Sequence, residues 1–533
     1  MFQVQSQNIW MKDSSEDIGK DKKFSFKDEL YIFLENTICH CYRHMAQVDR
    51  TVIERLMWFC IHVFGLSSWI FFTTTLFANF TRNPLITTLY DTVYPVKNIP
   101  FPAVTICSKN RISREQAEIY AKELSLKDPQ GRSEFYFLRE LIYLGRIYDF
   151  ETENEHLVTA FQQFLDQTTD KNLANSTFES LIERLNPSCE KILLKCFFKS
   201  KEYKCMFEFQ MIEQRKSALG FCCSFNYIKR NIDNPMNSPY YPTVTGPDMG
   251  LIVVVNNTSD DYFYNIFNSV GLAILIHNYN EYPDPGSGSA LERFVSPGQE
   301  IFLRVDSVSI TSERDILNYK AEKRQCLFSD ENRQYGGKYT RSDCFLNCKI
   351  RSVKALCDCI PFSFPQENAH SESLKTCTLQ HVPCLNKYKI KWSTIMSEMI
   401  DIDGLQREME ESLLCRECYP TCSDSKYRVT TSILPLVFNN RTGFGITNHI
   451  KNVSDISVIR VFLGQRETWQ YKQDVAFYWF EIFSNIGGLC GVVGGYSLIG
   501  FTEMIYFVLK QFVLYVLRKS NINRKTEDFQ IYP

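Results

Sequence analysis

Two long apolar stretches, one near each end of the 533-residue chain, limit what it can fold into more than any other feature. Leu56 to Ala78 contains no ionised side chain, and Val475 to Leu517 is interrupted only by Glu481, Glu503 and Lys510. About 20 apolar residues cross a bilayer as a helix, so the pattern predicts spans over 53–78 and within 475–517. Arg43, Arg50 and Arg55 precede the first stretch, while Arg518, Lys519, Arg524 and Lys525 follow the second. Basic residues favour the cytosolic side. The expected layout is a cytosolic region over 1–52, an extracellular domain over 79–474 and a cytosolic tail over 518–533, in the plasma membrane. The first 50 residues are polar and show no cleavable signal pattern.

Cysteine usage agrees with that layout. Sixteen of the twenty cysteines lie between the two stretches, an even number that suits a disulfide framework in an oxidising compartment. Cys39 and Cys41 fall on the cytosolic side, where lipidation is an option, and Cys60 and Cys490 fall inside the spans. All six glycosylation sequons, at Asn79, Asn175, Asn256, Asn257, Asn440 and Asn452, are also in the middle segment. The formal net charge of −2 argues against a nucleic-acid partner.

Within the middle segment, FPAVTIC (101–107), GLIVVV (250–255), GLAILI (271–276), EIFLRVDSVSI (300–310) and ISVIRVFL (456–463) read as strands of one mixed sheet. ERDILNYKAEKRQCLF (313–328) and STIMSEMIDIDGLQREMEESLLCREC (393–418) have spacing nearer the helical period, so a helical insert is expected between strands. Ten cysteines lie in or beside it, from Cys326 to Cys422. Their spacings could also ligate zinc, but histidines are few and the compartment is oxidising, so disulfides are the default. Spacing alone leaves their connectivity open.

The second apolar stretch contains NIGGLCGVVGGYSLIG (485–500), with six glycines. Each glycine inside a helix costs about 1 kcal/mol against alanine, so such density needs a compensating close approach or a break. Residues 487, 491 and 495 form a G-x3-G-x3-G row that lets helices approach closely in lipid. A continuous helix over 476–509 would be about 50 Å long, more than a bilayer core of about 30 Å, so a break or an extension outside is required. GYSLIG approaches the nucleophile elbow of esterases, but its last glycine comes one residue late and no triad context surrounds it. No enzyme, metal or cofactor motif is otherwise present.

Taken together, these residues resemble the degenerin and epithelial sodium channel superfamily, and within it the insect pickpocket branch. FPAVTIC after the first span, LLKC (193–196) leading to GFCCSFNY (220–227), the C-x17-C-x3-C-x8-C-x-C series from Cys326, and C-x2-C-x3-C ending at Cys422 occur in the family's order. The resemblance implies a trimer with two transmembrane helices, a disulfide-rich ectodomain with a β-sheet palm and a helical thumb, sodium conduction and amiloride block. It implies the pairs Cys326–Cys422, Cys344–Cys418, Cys348–Cys415, Cys357–Cys384 and Cys359–Cys377 in the thumb. In the palm it implies Cys107–Cys222 and Cys196–Cys205, leaving Cys189–Cys223.

By the same resemblance, Gly495, Tyr496 and Ser497 correspond to the selectivity filter. Ser484, Asn485, Gly487, Gly488 and Gly491 line the pore and gate, and Glu503 contributes a ring of carboxylates at the inner mouth. His40 aligns with the histidine of a His-Gly gating motif, where Cys41 replaces the glycine. The implied partners are sodium ions, membrane lipid and two further subunits of the same or a related kind. The competing readings are a two-span receptor or scavenger-type binding protein, and an obligate non-conducting subunit. The interrupted second span separates a channel from a receptor, because a receptor anchor needs no break.

Overall fold

The computed structural model describes residues 26–37, 42–47, 49–168, 177–206, 211–228, 238–331, 338–365, 375–397, 410–437, 454–495 and 497–528. The chain divides into two compact units, one formed by Met1–Ile86 with Val475–Pro533 and the other by Thr87–Asp474.

In the terminal unit, the Val52–Arg82 helix of 31 residues begins with a reciprocal cap. The Glu54 N–H donates to Thr51 Oγ1 at 3.4 Å, and the Thr51 N–H donates to Glu54 Oε2 at 3.2 Å. No residue of this helix is buried. Three of its threonine hydroxyls bond back to the helix's own carbonyls: Thr74 and Thr75 donate to those of Ile70 and Phe71 at 2.8 Å, and Thr81 to that of Phe77 at 3.0 Å. A helix that satisfies its backbone internally and turns apolar side chains outward suits an apolar solvent. The short Tyr42–Ala46 helix folds against its start, where Arg55 donates to the Gln47 carbonyl at 2.8 Å and His44 stacks on Trp58 at 4.6 Å.

The central unit holds two principal sheets rather than the single sheet expected. In the eight-stranded one, Gln299–Ser312 is the longest strand and the organiser. It pairs antiparallel with Asp424–Pro435 along one edge, and along the other runs parallel first to Ile456–Leu463 and then to Glu467–Val475. Leu251–Asn256, Leu193–Phe198 and Lys201–Tyr203 extend the sheet one way, and Leu85–Pro95 closes it on the other. The second sheet is antiparallel, in the order Leu291–Val295, Leu272–His277, Ala103–Ser108, Gly220–Phe225, Ile212–Ser217.

One apolar layer joins the two sheets. Val104, Ile106, Leu272, Ile274 and Ile276 of the smaller sheet pack with Leu251, Val253, Val255, Ile301, Leu303, Ile459 and Val461 of the larger. Side chains alternate between faces along a strand. Ile252 and Val254 therefore form a separate cluster with Ile456 and Val458, and Cys107 with Cys222, Ala273 and Leu275 another. Each fully buried aliphatic side chain contributes about 1.5 to 3 kcal/mol.

The helical insert also differs from expectation. Over 313–328 only single turns form, Arg314–Asn318 and Ala321–Arg324, and over 393–418 the described residues hold the end of the short Lys389–Ser393 helix, the two-residue strands Ile395–Met396 and Leu413–Leu414, and helical backbone at 410–411. Residues 398–409 lie outside the described set. The long helix of the insert is Arg341–Cys357 instead. Thr340 caps it by accepting from the Asp343 N–H at 3.1 Å, and Asp358 ends it in the left-handed region at φ 52°. Cys344 and Cys348, four residues apart, share one face of this helix. It packs in one core with the Arg114–Lys127, Glu134–Glu140, Glu155–Thr168 and Phe178–Leu185 helices.

Eight disulfides tie the central unit. They are Cys107–Cys222, Cys189–Cys223 and Cys196–Cys205 near the sheets, and Cys326–Cys422, Cys344–Cys418, Cys348–Cys415, Cys357–Cys384 and Cys359–Cys377 in the insert. Cys60 and Cys490 are free.

Candidate functional site

The second apolar stretch is not one helix. Trp479–Leu489 is α-helical, Cys490–Gly494 widens into a π-helical turn, and Leu498–Asp528 resumes the α-helix. Between them Gly495 sits at φ +65°, and its N–H reaches back to the Cys490 carbonyl. A Cβ is disfavoured in that left-handed conformation, which explains glycine there. Ser497 then starts the lower helix: the Gly500 N–H donates to its Oγ at 3.0 Å, and the Phe501 N–H donates to its carbonyl at 3.0 Å. The pair Gly495 and Ser497 thus works as a stop and a restart. Tyr496 between them lies outside the described residues.

The upper part of the glycine row is open in the single chain. A Cβ added at Gly487, Gly488 or Gly491 would meet nothing within 4 Å. Ser484 and Asn485, one turn before the row, are exposed as well. Glu481 has a local task, since its carboxylate accepts the Tyr478 N–H at 3.0 Å and caps the upper helix.

Glu503 lies on the lower helix, where Thr37 Oγ1 donates to its Oε2 at 3.4 Å. Phe33 stacks on Phe507 with ring centroids 4.3 Å apart. Thr37 follows Phe33 by four residues and Phe507 follows Glu503 by four, so one face of the Phe26–Asn36 helix and the residue after it meets one face of the lower helix. His40 and Cys41 lie just beyond, outside the described residues.

Among the sequons, Asn79 is exposed near the end of the Val52–Arg82 helix, and Asn256 and Asn257 follow one another at a strand end. Asn175, Asn440 and Asn452 lie outside the described residues.

The sequence reading missed a polar cluster at the joint between the smaller sheet and the insert. A cavity of about 340 Å³ there is lined by Asn278, Glu281, Arg341, Ser342, Asp424 and Tyr427, among others. Burial, with the Asp424 charge second, pushes the Glu281 carboxyl up to about 8. The Asn278 amide donates to Asp424 Oδ1 at 3.1 Å. Beside the cavity His277 is wholly buried between Thr105 Oγ1 at 3.0 Å and the Asn278 carbonyl at 2.9 Å, and burial brings its imidazole down to about 4. Below the cavity Lys349 pairs with Asp284 at 2.6 Å, both nearly buried. The carboxylates come from segments far apart in sequence, so no local pattern marked them.

Comparison with known proteins gives a consistent picture. The family model described as amiloride-sensitive sodium channel matches residues 33–507. Pickpocket protein 28 of Drosophila melanogaster is 25% identical over 545 residues, covering 93% of this chain and 81% of its own. The sodium channel protein Nach of Drosophila ananassae is 25% identical, covering 89% and 85%, and the epithelial sodium channel subunit gamma of Neoceratodus forsteri is 22% identical, covering 89% and 80%. A solved proton-activated chloride channel aligns with a TM-score of 0.29 at 6% identity, covering 86% of this chain and 98% of its own, a likeness too low to carry an argument.

Proposed function

The chain belongs to the amiloride-sensitive sodium channel family, and from that premise we propose that it is a subunit of a trimeric, amiloride-sensitive, sodium-selective channel of the plasma membrane. Both termini are cytosolic in this reading, and the disulfide-rich domain faces outside. The observation that carries it is the interrupted second span. Unwound backbone at membrane depth is tolerated only where it lines a water-filled cavity or is buried in protein, and at the break Ser497 is exposed in the single chain while Gly495 is only partly covered. Three subunits meeting along the open glycine row would supply both the cover and the cavity.

In this arrangement the carbonyls freed near Gly495 face the permeating ion, replacing part of its hydration shell. The Ser497 hydroxyl, already accepting from the Gly500 N–H, keeps the lower helix from fraying into the pore. Glu503 contributes a carboxylate from each subunit below the break, concentrating cations by its field. Ser484 and the glycines pack the subunits closely enough for small movements to gate the path.

The test is expression of the full chain under voltage clamp, with external sodium exchanged for potassium and amiloride applied. A sodium-preferring current is expected, either alone or with a related subunit. Absence of current in both settings, despite trimers at the surface, would favour a pore-less receptor. Glu503→Gln is expected to lower single-channel sodium current severalfold at unchanged surface level. An unaltered current would remove Glu503 from the conduction path.

A further inference from the structure

Asn256 and Asn257 form overlapping sequons, Asn256-Asn257-Thr258 and Asn257-Thr258-Ser259, and a sequence pattern cannot choose between them. We propose that Asn256 alone carries an N-linked glycan in the folded protein, and that Asn257 is a structural residue whose sequon is silent. The proposal rests on the reading that the central domain faces outside the cell.

The two side chains are in opposite situations. Asn256 is the last residue of the Leu251–Asn256 strand and is partly exposed, while the five strand residues before it are buried. Its Oδ1 accepts the Thr258 N–H at 3.1 Å, which holds the side chain in a tight turn through the oxygen. The oxygen is engaged while the nitrogen is the atom that must be modified. Asn257 is 0% exposed. Its Nδ2 donates to the Asp455 carbonyl at 2.8 Å and to Ser457 Oγ at 2.9 Å, and its own N–H donates to the Asp455 carbonyl at 2.9 Å. These bonds pin the strand end to the start of the Ile456–Leu463 strand.

Counting protons decides between the two. A primary amide has two N–H bonds, and Asn257 uses both. Glycosylation forms a bond between Nδ2 and the anomeric carbon of a lipid-diphosphate-linked oligosaccharide. It breaks that carbon's bond to the diphosphate oxygen, and the amide proton leaves with the lipid diphosphate. A glycosylated Asn257 would keep one N–H for two acceptors and would need room for a sugar at a site with no exposure. Leaving a buried acceptor unpaired is strongly unfavourable. Ser259 fastens the same corner, donating its N–H to Asp455 Oδ2 at 2.8 Å and its hydroxyl to Asp455 Oδ1, so a sugar on Asn257 would disturb these bonds too. Sugar transfer precedes folding, so a chain modified at Asn257 is one that cannot close this corner and does not reach the surface.

The full-length chain recovered from the cell surface is deglycosylated enzymatically in heavy-oxygen water, which leaves a mass-marked aspartate at each formerly modified asparagine. Fragment ions then separate position 256 from 257. The mark is expected on Asn256 and not on Asn257. Two substitutions divide the sequons while keeping both asparagines: Thr258→Ala removes only the first, and Ser259→Ala removes only the second. Thr258→Ala is expected to abolish the mark at this site, and Ser259→Ala to leave its occupancy within about twofold of the parent. A mark on Asn257 in surface protein, or an unmarked Asn256 beside marked sequons elsewhere, would overturn the proposal. No mark at any of the six sequons would overturn the outside placement of the domain and the proposal with it.

Discussion

The Ser497 hydroxyl does in this chain what a serine does at the start of any helix, accepting a backbone N–H three residues ahead. Replacing an N-cap serine by alanine costs about 1 kcal/mol. Ser497→Ala is therefore expected to fray the lower helix and change single-channel conductance or ion preference, while Ser497→Thr keeps the cap and most of the parent behaviour. Single-channel recording of the two variants separates a capping role from a mere need for small size. Glu281 gives a second residue-scale expectation. Its folded-state carboxyl titrates near 8, above the ordinary 4.5, through burial first and the Asp424 charge second. A carboxyl that binds its proton more tightly in the fold favours folding below about pH 4.5, and that contribution is lost as the pH rises through about 8. Glu281→Gln should flatten the change in thermal midpoint of the solubilised full chain between about pH 5 and about pH 8. An unchanged slope would place the sensitivity elsewhere, with the neighbouring Asp424, Asp343 and Arg341 as the next groups to vary.

At the scale of elements, the insert's bridges are nested. Cys348–Cys415 lies inside Cys344–Cys418, which lies inside Cys326–Cys422, with sequence separations of 67, 74 and 96. Closing a 67-residue loop by itself would stabilise the fold by about 4 kcal/mol through lost chain entropy. With the neighbouring rung already closed, Cys348–Cys415 confines only a few more residues on each side, worth about 2 kcal/mol. Removing this one rung as a double serine variant should thus lower the thermal midpoint modestly, and removing all three nested rungs should cost far more than three times as much. Differential scanning of the solubilised chain can measure the series. A disulfide framework was readable from an even count of cysteines in one segment, because covalent chemistry leaves a local mark in sequence. The Arg341–Cys357 helix was not read, because its cysteines, lysine and serines face a polar, cross-linked environment and blur the apolar period. The division into two sheets was hidden for a related reason. Leu272–His277 is buried on both faces, so it carries no alternation to say which sheet it joins. The glycine density around Gly495 was plain, yet the π turn and the cap follow from backbone geometry that composition does not encode.

For the whole molecule, the proposed assembly makes Ser484 a contact between subunits. Small residues let helices approach in lipid, and extra volume in a packed interface costs about 1 to 3 kcal/mol. A gate biased by a few kcal/mol would then shift toward open by about tenfold or more. Ser484→Val is expected to give a standing sodium current without stimulus. A silent channel at the surface, alone and with related subunits, would count against the pore assignment. The layout of the central sheet also sets a timetable. Gln299–Ser312 takes its parallel neighbours from Ile456–Leu463 and Glu467–Val475, and only Ala476 to Tyr478 separate the last strand from the Trp479–Leu489 helix. Pairings this distant form slowly, since loop closure comes before any reward. The organising strand therefore waits, with both edges unpaired, through synthesis of the entire cross-linked insert, because its antiparallel partner Asp424–Pro435 also follows it. On the proposed topology its partners arrive just ahead of the second span, so the domain completes its hydrogen bonding as a chain tethered to the bilayer at both ends. Oxidation of the insert can proceed before that moment, and sheet closure becomes the late step of biogenesis.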